Sequence, residues 1–182
     1  MAIKEHLKIM IDLLEYYVTK EIEHNVYGTG DICYVALYDR LAKCIHARKE
    51  IDYKPYSSVE DLLVSHAYAG DFIEDFMNRV HYCKSDRFKD LKIISAEEHL
   101  ILIIDILESY LMKRIERSLY CPEDRYYMAY YKRLIQCLDA RKEIDYIPYE
   151  SVSMLLKSHG YDEEFIEKFL SKVNAHKNNC EN

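Results

Sequence analysis

A charged segment that occurs twice in this chain holds the residues best suited to chemistry or recognition. Residues 47–53, with the sequence ARKEIDY, are identical to residues 140–146, and Pro-Tyr follows one residue later in both places. One interpretation is an ion pair between Arg48 and Asp52, which have the i,i+4 spacing of neighbours on a helix. The other is a contact surface, because arginine and tyrosine are favoured at protein interfaces. The predicted partner-binding residues are Arg48, Lys49, Tyr53, Tyr56, Arg141, Lys142, Tyr146 and Tyr149.

A second feature is a row of carboxylates along the first helix of each half. Acidic residues that face one another across helices can hold divalent metals, which makes a metal-dependent hydrolase one alternative function. The row lies opposite the apolar stripe of its helix, so we predict a solvated face and no bound metal. Its members are Glu5, Asp12, Glu15 and Glu23, repeated as Glu98, Asp105, Glu108 and Glu116.

Arg40 and His46 form a third candidate group on the second helix. An arginine followed by a histidine at this spacing resembles the catalytic motif of HEPN-type ribonucleases, which are helical and act as dimers. The resemblance implies that Arg40 and His46 would cleave RNA by acid–base chemistry on the 2′-hydroxyl. The second half keeps the arginine as Arg133 but has Asp139 in place of the histidine. A degenerate ribonuclease is therefore the other enzymatic alternative.

Several function classes are disfavoured by composition and by motifs that the sequence lacks. The net charge of -7 disfavours nucleic-acid binding, and no segment approaches the roughly 20 apolar residues of a membrane span. We find no nucleotide loop and no metalloprotease motif, and we expect no cofactor. Six cysteines without C-x-x-C or zinc-like spacing indicate reduced thiols in the cytoplasm. They are Cys33, Cys44, Cys83, Cys121, Cys137 and Cys180.

The elements that must position these residues are repeated along the chain. With an offset of 93 residues, 5–23 match 98–116, 38–68 match 131–161, and 71–80 match 164–173. This pattern predicts a tandem duplication of a roughly 90-residue module, with copies at 1–88 and 89–182. The joint at 84–94 is short and apolar rather than Gly/Ser-rich. We therefore expect the copies to pack together with pseudo-twofold symmetry.

Within each copy the apolar residues recur every three to four positions, which predicts helices throughout. We predict four helices per module and an all-α fold, with first helices at 3–25 and 96–119 and second helices at 32–52 and 125–145. Ser58 and Ser151 are predicted N-caps of the third helices, and Ser95 with Glu98 forms a capping box. Gly160 suits a left-handed helix end, where Ala67 of the first copy is less favourable. His66 and His159 are predicted to bond the last carbonyls of the third helices.

These observations together favour a binding protein over an enzyme. We predict a cytoplasmic, acidic, non-enzymatic helical bundle that acts through protein–protein interaction as an adaptor, inhibitor or regulator. An immunity-like role, or a counter-defence role in a phage or virus, would suit these properties. The negative charge would suit a basic protein partner, and an oligomer is compatible with the pattern. No membrane partner is expected.

Overall fold

The computed structural model of the protein describes residues 2–26, 34–83, 94–120 and 126–180. Within these ranges the chain forms eight α-helices and no strand, which confirms the predicted all-α class. The predicted joint at 84–94 lies, except for its last residue, outside the described residues. The helices are α1 (Ile3–Val26), α2 (Tyr34–Glu50), α3 (Val59–Ser65), α4 (Gly70–Cys83), α5 (Ala96–Tyr120), α6 (Tyr127–Glu143), α7 (Val152–Ser158) and α8 (Glu163–Cys180).

Side-chain caps start several of these helices where the sequence predicts them. The Ser58 hydroxyl accepts a hydrogen bond from the Asp61 backbone N–H, and Ser151 accepts the equivalent bond from Met154. At the start of α5, Ser95 Oγ accepts from the Glu98 N–H at 3.2 Å while Glu98 Oε2 accepts from the Ser95 N–H at 2.8 Å. These bonds satisfy backbone donors that the first helical turn leaves free.

The core is built from the apolar stripes of the helices. In α1 the stripe Leu7, Ile11, Leu14, Val18 and Ile22 is fully buried. The helix α2 packs on α3 and α4, and α6 packs on α7 and α8 in the same manner. Aromatic residues at equal positions of the two halves, Phe76 and Phe169, are completely enclosed.

Four helices end in the same left-handed turn. After α2, Tyr53 donates its N–H to the Arg48 carbonyl and Asp52 donates to the Lys49 carbonyl, with Asp52 at φ 53°. This is a Schellman end, which satisfies the last carbonyls of a helix. The predicted second helix to residue 52 is thus too long, because Asp52 has already left the helical region. Asp145, Ala67 and Gly160 occupy the left-handed position after α6, α3 and α7.

The described chain divides into two compact units. One comprises Lys4–Ile103, and the other comprises Ile104–Asn182 together with Met1–Ile3. The predicted module boundary at 88/89 falls outside the described residues. Among the helices of the described ranges, none is both long and apolar enough to cross a membrane.

Candidate functional site

A buried arginine organises the unit Lys4–Ile103. Arg48 lies in the last turn of α2 with 3% of its surface exposed. Its Nε donates to Glu15 Oε1 of α1 at 2.6 Å, and its Nη2 donates to Glu15 Oε2 at 2.8 Å. This two-point pairing matches the planar guanidinium to the carboxylate, which is the strongest geometry for such a pair. Glu15 is itself only 1% exposed.

Asp12 and Tyr53 extend the pair towards the surface. Arg48 Nη2 also donates to Asp12 Oδ1 at 2.7 Å, and the Tyr53 hydroxyl donates to Asp12 Oδ2 at 2.9 Å. The guanidinium carbon lies 4.6 Å from the Tyr53 ring centre and 5.1 Å from the Tyr56 ring centre. The arginine thus bonds the base of the loop after α2 and contacts both of its tyrosines, as cation–π pairs do.

His66 completes what we call the first arginine cluster, formed by Asp12, Glu15, Arg48, Tyr53 and His66. The His66 backbone N–H caps α3 by donating to the carbonyls of Leu62 and Leu63. Its ring does not serve the helix end as predicted, because Nε2 lies 3.3 Å from Glu15 Oε2. The ring contacts a carboxylate that is distant in sequence and remains 31% exposed on its other side.

The pairing decides the ionisation of the buried groups. Burial by itself would raise the pKa of Glu15, but the bonds from Arg48 and His66 outweigh it, so this pKa lies below its ordinary value of 4.5. Burial would likewise lower the pKa of Arg48, but the bonds and charge of Glu15 raise it overall. Both groups are charged at neutral pH, and each neutralises the other.

The unit containing Ile104–Asn182 holds a second arginine cluster of the same construction, 93 residues further along. Arg141 donates to Glu108 at 2.7 and 2.9 Å and to Asp105 at 3.0 Å. The corresponding contacts are those of Tyr146 with Asp105 at 2.9 Å and of His159 with Glu108 at 3.1 Å. The cluster consists of Asp105, Glu108, Arg141, Tyr146 and His159.

The structure separates the predicted partner-binding residues into two groups. Arg48 and Arg141 are buried in ion pairs inside their own units, and their partners are Glu15 and Glu108 rather than the neighbouring Asp52 and Asp145. The other six predicted residues lie at the surface around the arginines. Lys49 and Lys142 are exposed, and Tyr53, Tyr56, Tyr146 and Tyr149 are half-buried.

The carboxylate row is not uniformly solvated, and in this respect the sequence prediction is wrong. Glu15 and Glu108 are buried because Arg48 and Arg141 neutralise them. Glu5 pairs with Lys8 at 2.7 Å and Glu23 with Lys20 at 3.0 Å. In the part of the chain that the structure describes, no group of three or more His, Cys, Asp and Glu side chains is placed to hold a metal ion.

Arg40 and His46 have separate surroundings on α2. Arg40 Nη1 lies 3.6 Å from Glu21 Oε2 of α1. His46 is exposed, and its pKa is lowered by partial burial and by the nearby charge of Lys49. Side chains six positions apart on an α-helix lie on different faces. The spacing of Arg40 and His46 therefore does not direct both groups at one substrate atom.

Glu15, Glu108, His66 and His159 are the residues whose role the sequence interpretation missed. Glu15 follows Ile11 by four positions and precedes Val18 by three, which is the spacing of one helix face. A carboxylate inside an apolar stripe needs a buried cation, and Arg48 is the arginine within the segment that is identical in both halves. That signal marks Glu15 as a candidate, but its pairing with Arg48 and its contact with His66 depend on the tertiary structure.

Comparison of the chain with protein-family models, with curated proteins and with solved structures finds no match. The geometry of the two arginine clusters and of the loops above them is therefore the basis for a functional proposal.

Proposed function

We propose that this protein is a non-enzymatic adaptor, inhibitor or regulator that binds another protein through two loop surfaces. The first loop surface consists of Lys49, Tyr53, Lys54 and Tyr56. The second consists of Lys142, Tyr146, Ile147 and Tyr149. The observation that carries the proposal is the stacking of one buried guanidinium on two half-exposed tyrosine rings in each unit.

Such a construction favours binding because it orders the contact residues before a partner arrives. Tyrosine supplies a large amphipathic surface with few rotatable bonds, so little entropy is lost when it is covered. The loop backbone has positive φ at Asp52 and Lys54, conformations that cost a non-glycine residue roughly 1–2 kcal/mol each. The hydrogen bond from Arg48 Nη1 to the Tyr53 carbonyl, at 3.3 Å, helps to hold that conformation. Preorganisation of this kind increases affinity without further contacts.

The same geometry disfavours the enzymatic alternatives. A metal hydrolase built on the helix-1 carboxylates would need Glu15 as a ligand, but Glu15 already accepts two charge-assisted bonds from Arg48. A cation would have to displace a buried guanidinium, which would then lack a partner in the core. A ribonuclease would need Arg40 and His46 to converge, and the helix directs them to different faces.

We further propose that the two loop surfaces arose by tandem duplication of one module. Five residues of one arginine cluster have counterparts of identical type exactly one repeat offset away, with matching bonds. Two surfaces on one chain allow a partner with two sites to bind with much greater avidity than one surface provides. The pseudo-twofold arrangement, the basic partner and the cytoplasmic location stay predictions.

The test uses exposed lysines and half-buried tyrosines, because a substitution of buried Arg48 or Arg141 would disturb folding. We expect the tagged wild-type protein to retain one stoichiometric partner from its source lysate. The variant Lys49→Glu/Lys142→Glu/Tyr56→Ala/Tyr149→Ala should lose that partner while it keeps its helical circular dichroism. Mass spectrometry of the co-purified material, followed by binding of the purified partner in solution, measures both results.

The matched control is Lys132→Glu/Lys168→Glu, which reverses two exposed charges outside the loop surfaces. This control should bind as the wild type does. A partner that is retained equally by the loop-surface variant would show that another face carries the binding. The proposal would be overturned by a wild-type protein that holds no partner and instead cleaves RNA, or hydrolyses a substrate in a metal-dependent reaction.

A further inference from the structure

Two lysines near Tyr53 of the first loop surface have no cationic counterpart in the second half. The ammonium groups of Lys8 and Lys54 both lie 5.7 Å from the centre of the Tyr53 ring. The residues 93 positions later are isoleucines, Ile101 and Ile147. The two halves therefore share the arginine cluster but differ by two positive charges at the positions that correspond to these lysines.

Two of the negative groups near Tyr53 are occupied by other partners. Asp12 accepts bonds from Arg48 and from the Tyr53 hydroxyl. Glu5 pairs with Lys8, but their side chains are 53% and 35% exposed, and such a pair exchanges readily for another partner. Lys49 and Lys54 are exposed and form no ion pair with a described residue, and the exposed carboxylates Glu50 and Asp52 lie between them in the sequence.

We infer that the first loop surface binds an acidic segment of its protein partner, with carboxylates placed between Lys8 and Lys54 at the edge of the Tyr53 ring. This inference rests on the proposed function and adds the chemistry of one of the two contacts. The second loop surface presents Ile147, which is 56% exposed, at the position of Lys54 and does not share this preference. The two surfaces thus recognise different parts of a partner.

A protein segment fits this surface better than a nucleic acid does. Recognition of a single strand relies on bases that stack on open aromatic faces, and Arg48 already stacks on the Tyr53 ring. The net charge of -7 would also repel a polyanion that extends beyond the surface. A short acidic segment needs contact only with the lysines beside Tyr53.

The experiment is a titration of the ¹⁵N-labelled full chain with a hepta-glutamate peptide, followed by NMR chemical shifts. Binding is measured at about 0.01 M salt, where charges act over about 30 Å. We expect shift changes at residues 8 and 49–56, smaller changes at 142–149, and weaker binding as salt is added. In Lys8→Ile/Lys54→Ile, which copies the residue types of the second half, binding should be about fivefold weaker, because exposed charge contacts are individually modest.

Two further variants test whether binding of the peptide is specific to the lysines near Tyr53. Lys168→Ile/Lys172→Ile removes the same charge from α8 and should bind the peptide like the wild type. Ile147→Lys should give the second loop surface measurable affinity, and Lys54 at φ 40° shows that lysine adopts the backbone conformation of Ile147 at φ 38°. Circular dichroism confirms that each variant is folded.

Three results would overturn the inference. The first is the absence of chemical-shift changes with hepta-glutamate. The second is an equal loss of affinity in Lys8→Ile/Lys54→Ile and in the α8 control. The third is tighter binding of hepta-lysine or oligothymidylate at the same residues. If any of these results is found while binding of the protein partner still requires the loop surfaces, the inference of an acidic segment is rejected and the proposed function stands. Loss of the partner requirement itself would reject the proposed function instead.

Discussion

Arg48 and Arg141 differ from the other described arginines and lysines because their charged groups lie inside the protein. Lysine could not replace them, since a single ammonium cannot bond both carboxylate oxygens in one plane and stack flat on a ring. Each guanidinium joins two helices, a loop carbonyl and two aromatic rings. At the scale of single residues, these two side chains connect the core with the surface.

Loss of one guanidinium should therefore be costly. We expect Arg48→Met to lower the free energy of unfolding by about 3–5 kcal/mol, because it leaves Glu15 charged and buried without its main partner. Urea unfolding followed by circular dichroism measures the change. The neighbouring exposed variant Lys49→Met should change stability by about 0.5 kcal/mol or less. Equal effects of the two substitutions would contradict the structural role assigned to Arg48.

His99 should make stability depend on pH in the mildly acidic range. It is 6% exposed, and burial together with His46 outweighs Glu50, so its pKa lies below the ordinary 6.5. The folded state favours the neutral ring, so this contribution is present above pH 6.5 and is lost as the pH falls through the lowered pKa. His99→Gln should flatten that decline in a series of urea titrations, whereas His24→Gln, at an exposed position, should leave it unchanged. A decline that is identical in all three proteins would rule out this origin.

The helix ends show how an element tolerates an unfavourable residue. α3 and α7 finish with the same Schellman bonds, but the left-handed position is Ala67 in one and Gly160 in the other. Their φ values of 63° and 88° lie in the region where a Cβ atom is strained. The sequence difference therefore becomes an energy difference between two otherwise matching turns.

Exchange of the two residues tests this difference. Ala67→Gly should raise the free energy of unfolding by about 1 kcal/mol, and Gly160→Ala should lower it by a similar amount. No heavy atom lies within 4 Å of a Cβ built on Gly160, so the expected cost arises from the backbone alone. The midpoints of thermal unfolding should move in opposite directions. Shifts of the same sign would mean that contacts outside the turn dominate.

At the scale of the molecule, the two arginine clusters belong to different compact units. Residues that share no partners usually contribute independently to stability. We therefore expect the effects of Arg48→Met and Arg141→Met to add in the double variant to within about 0.5 kcal/mol, measured by urea unfolding of the two single variants and the double variant. A larger coupling energy would show that the clusters influence one another.

Much of the architecture was predictable because it depends on local physics. The apolar spacing predicted helices, the prolines after residues 54 and 147 indicated that the second helices end before them, and Ser58, Ser95 and Ser151 marked caps that the structure confirms. These features depend on interactions between residues at most a few positions apart. The helix boundaries at Glu50 and Glu143 were missed because Asp52 and Asp145 adopt a left-handed conformation that aspartate only occasionally takes.

The sequence by itself determined the all-α class, the repeated segments and the importance of Arg48 and Arg141. Only the tertiary structure decided what those arginines do. Their partners, Glu15 and Glu108, lie 33 positions away in the chain, and the histidines on the same carboxylates lie 51 positions away. A buried ion pair forms only where packing removes water and brings two helices into register, and neighbours such as Asp52 remain in solvent. For that reason the repeated segment indicated correctly that its arginine forms a charged pair, but the carboxylate that pairs with it could be identified only from the folded chain.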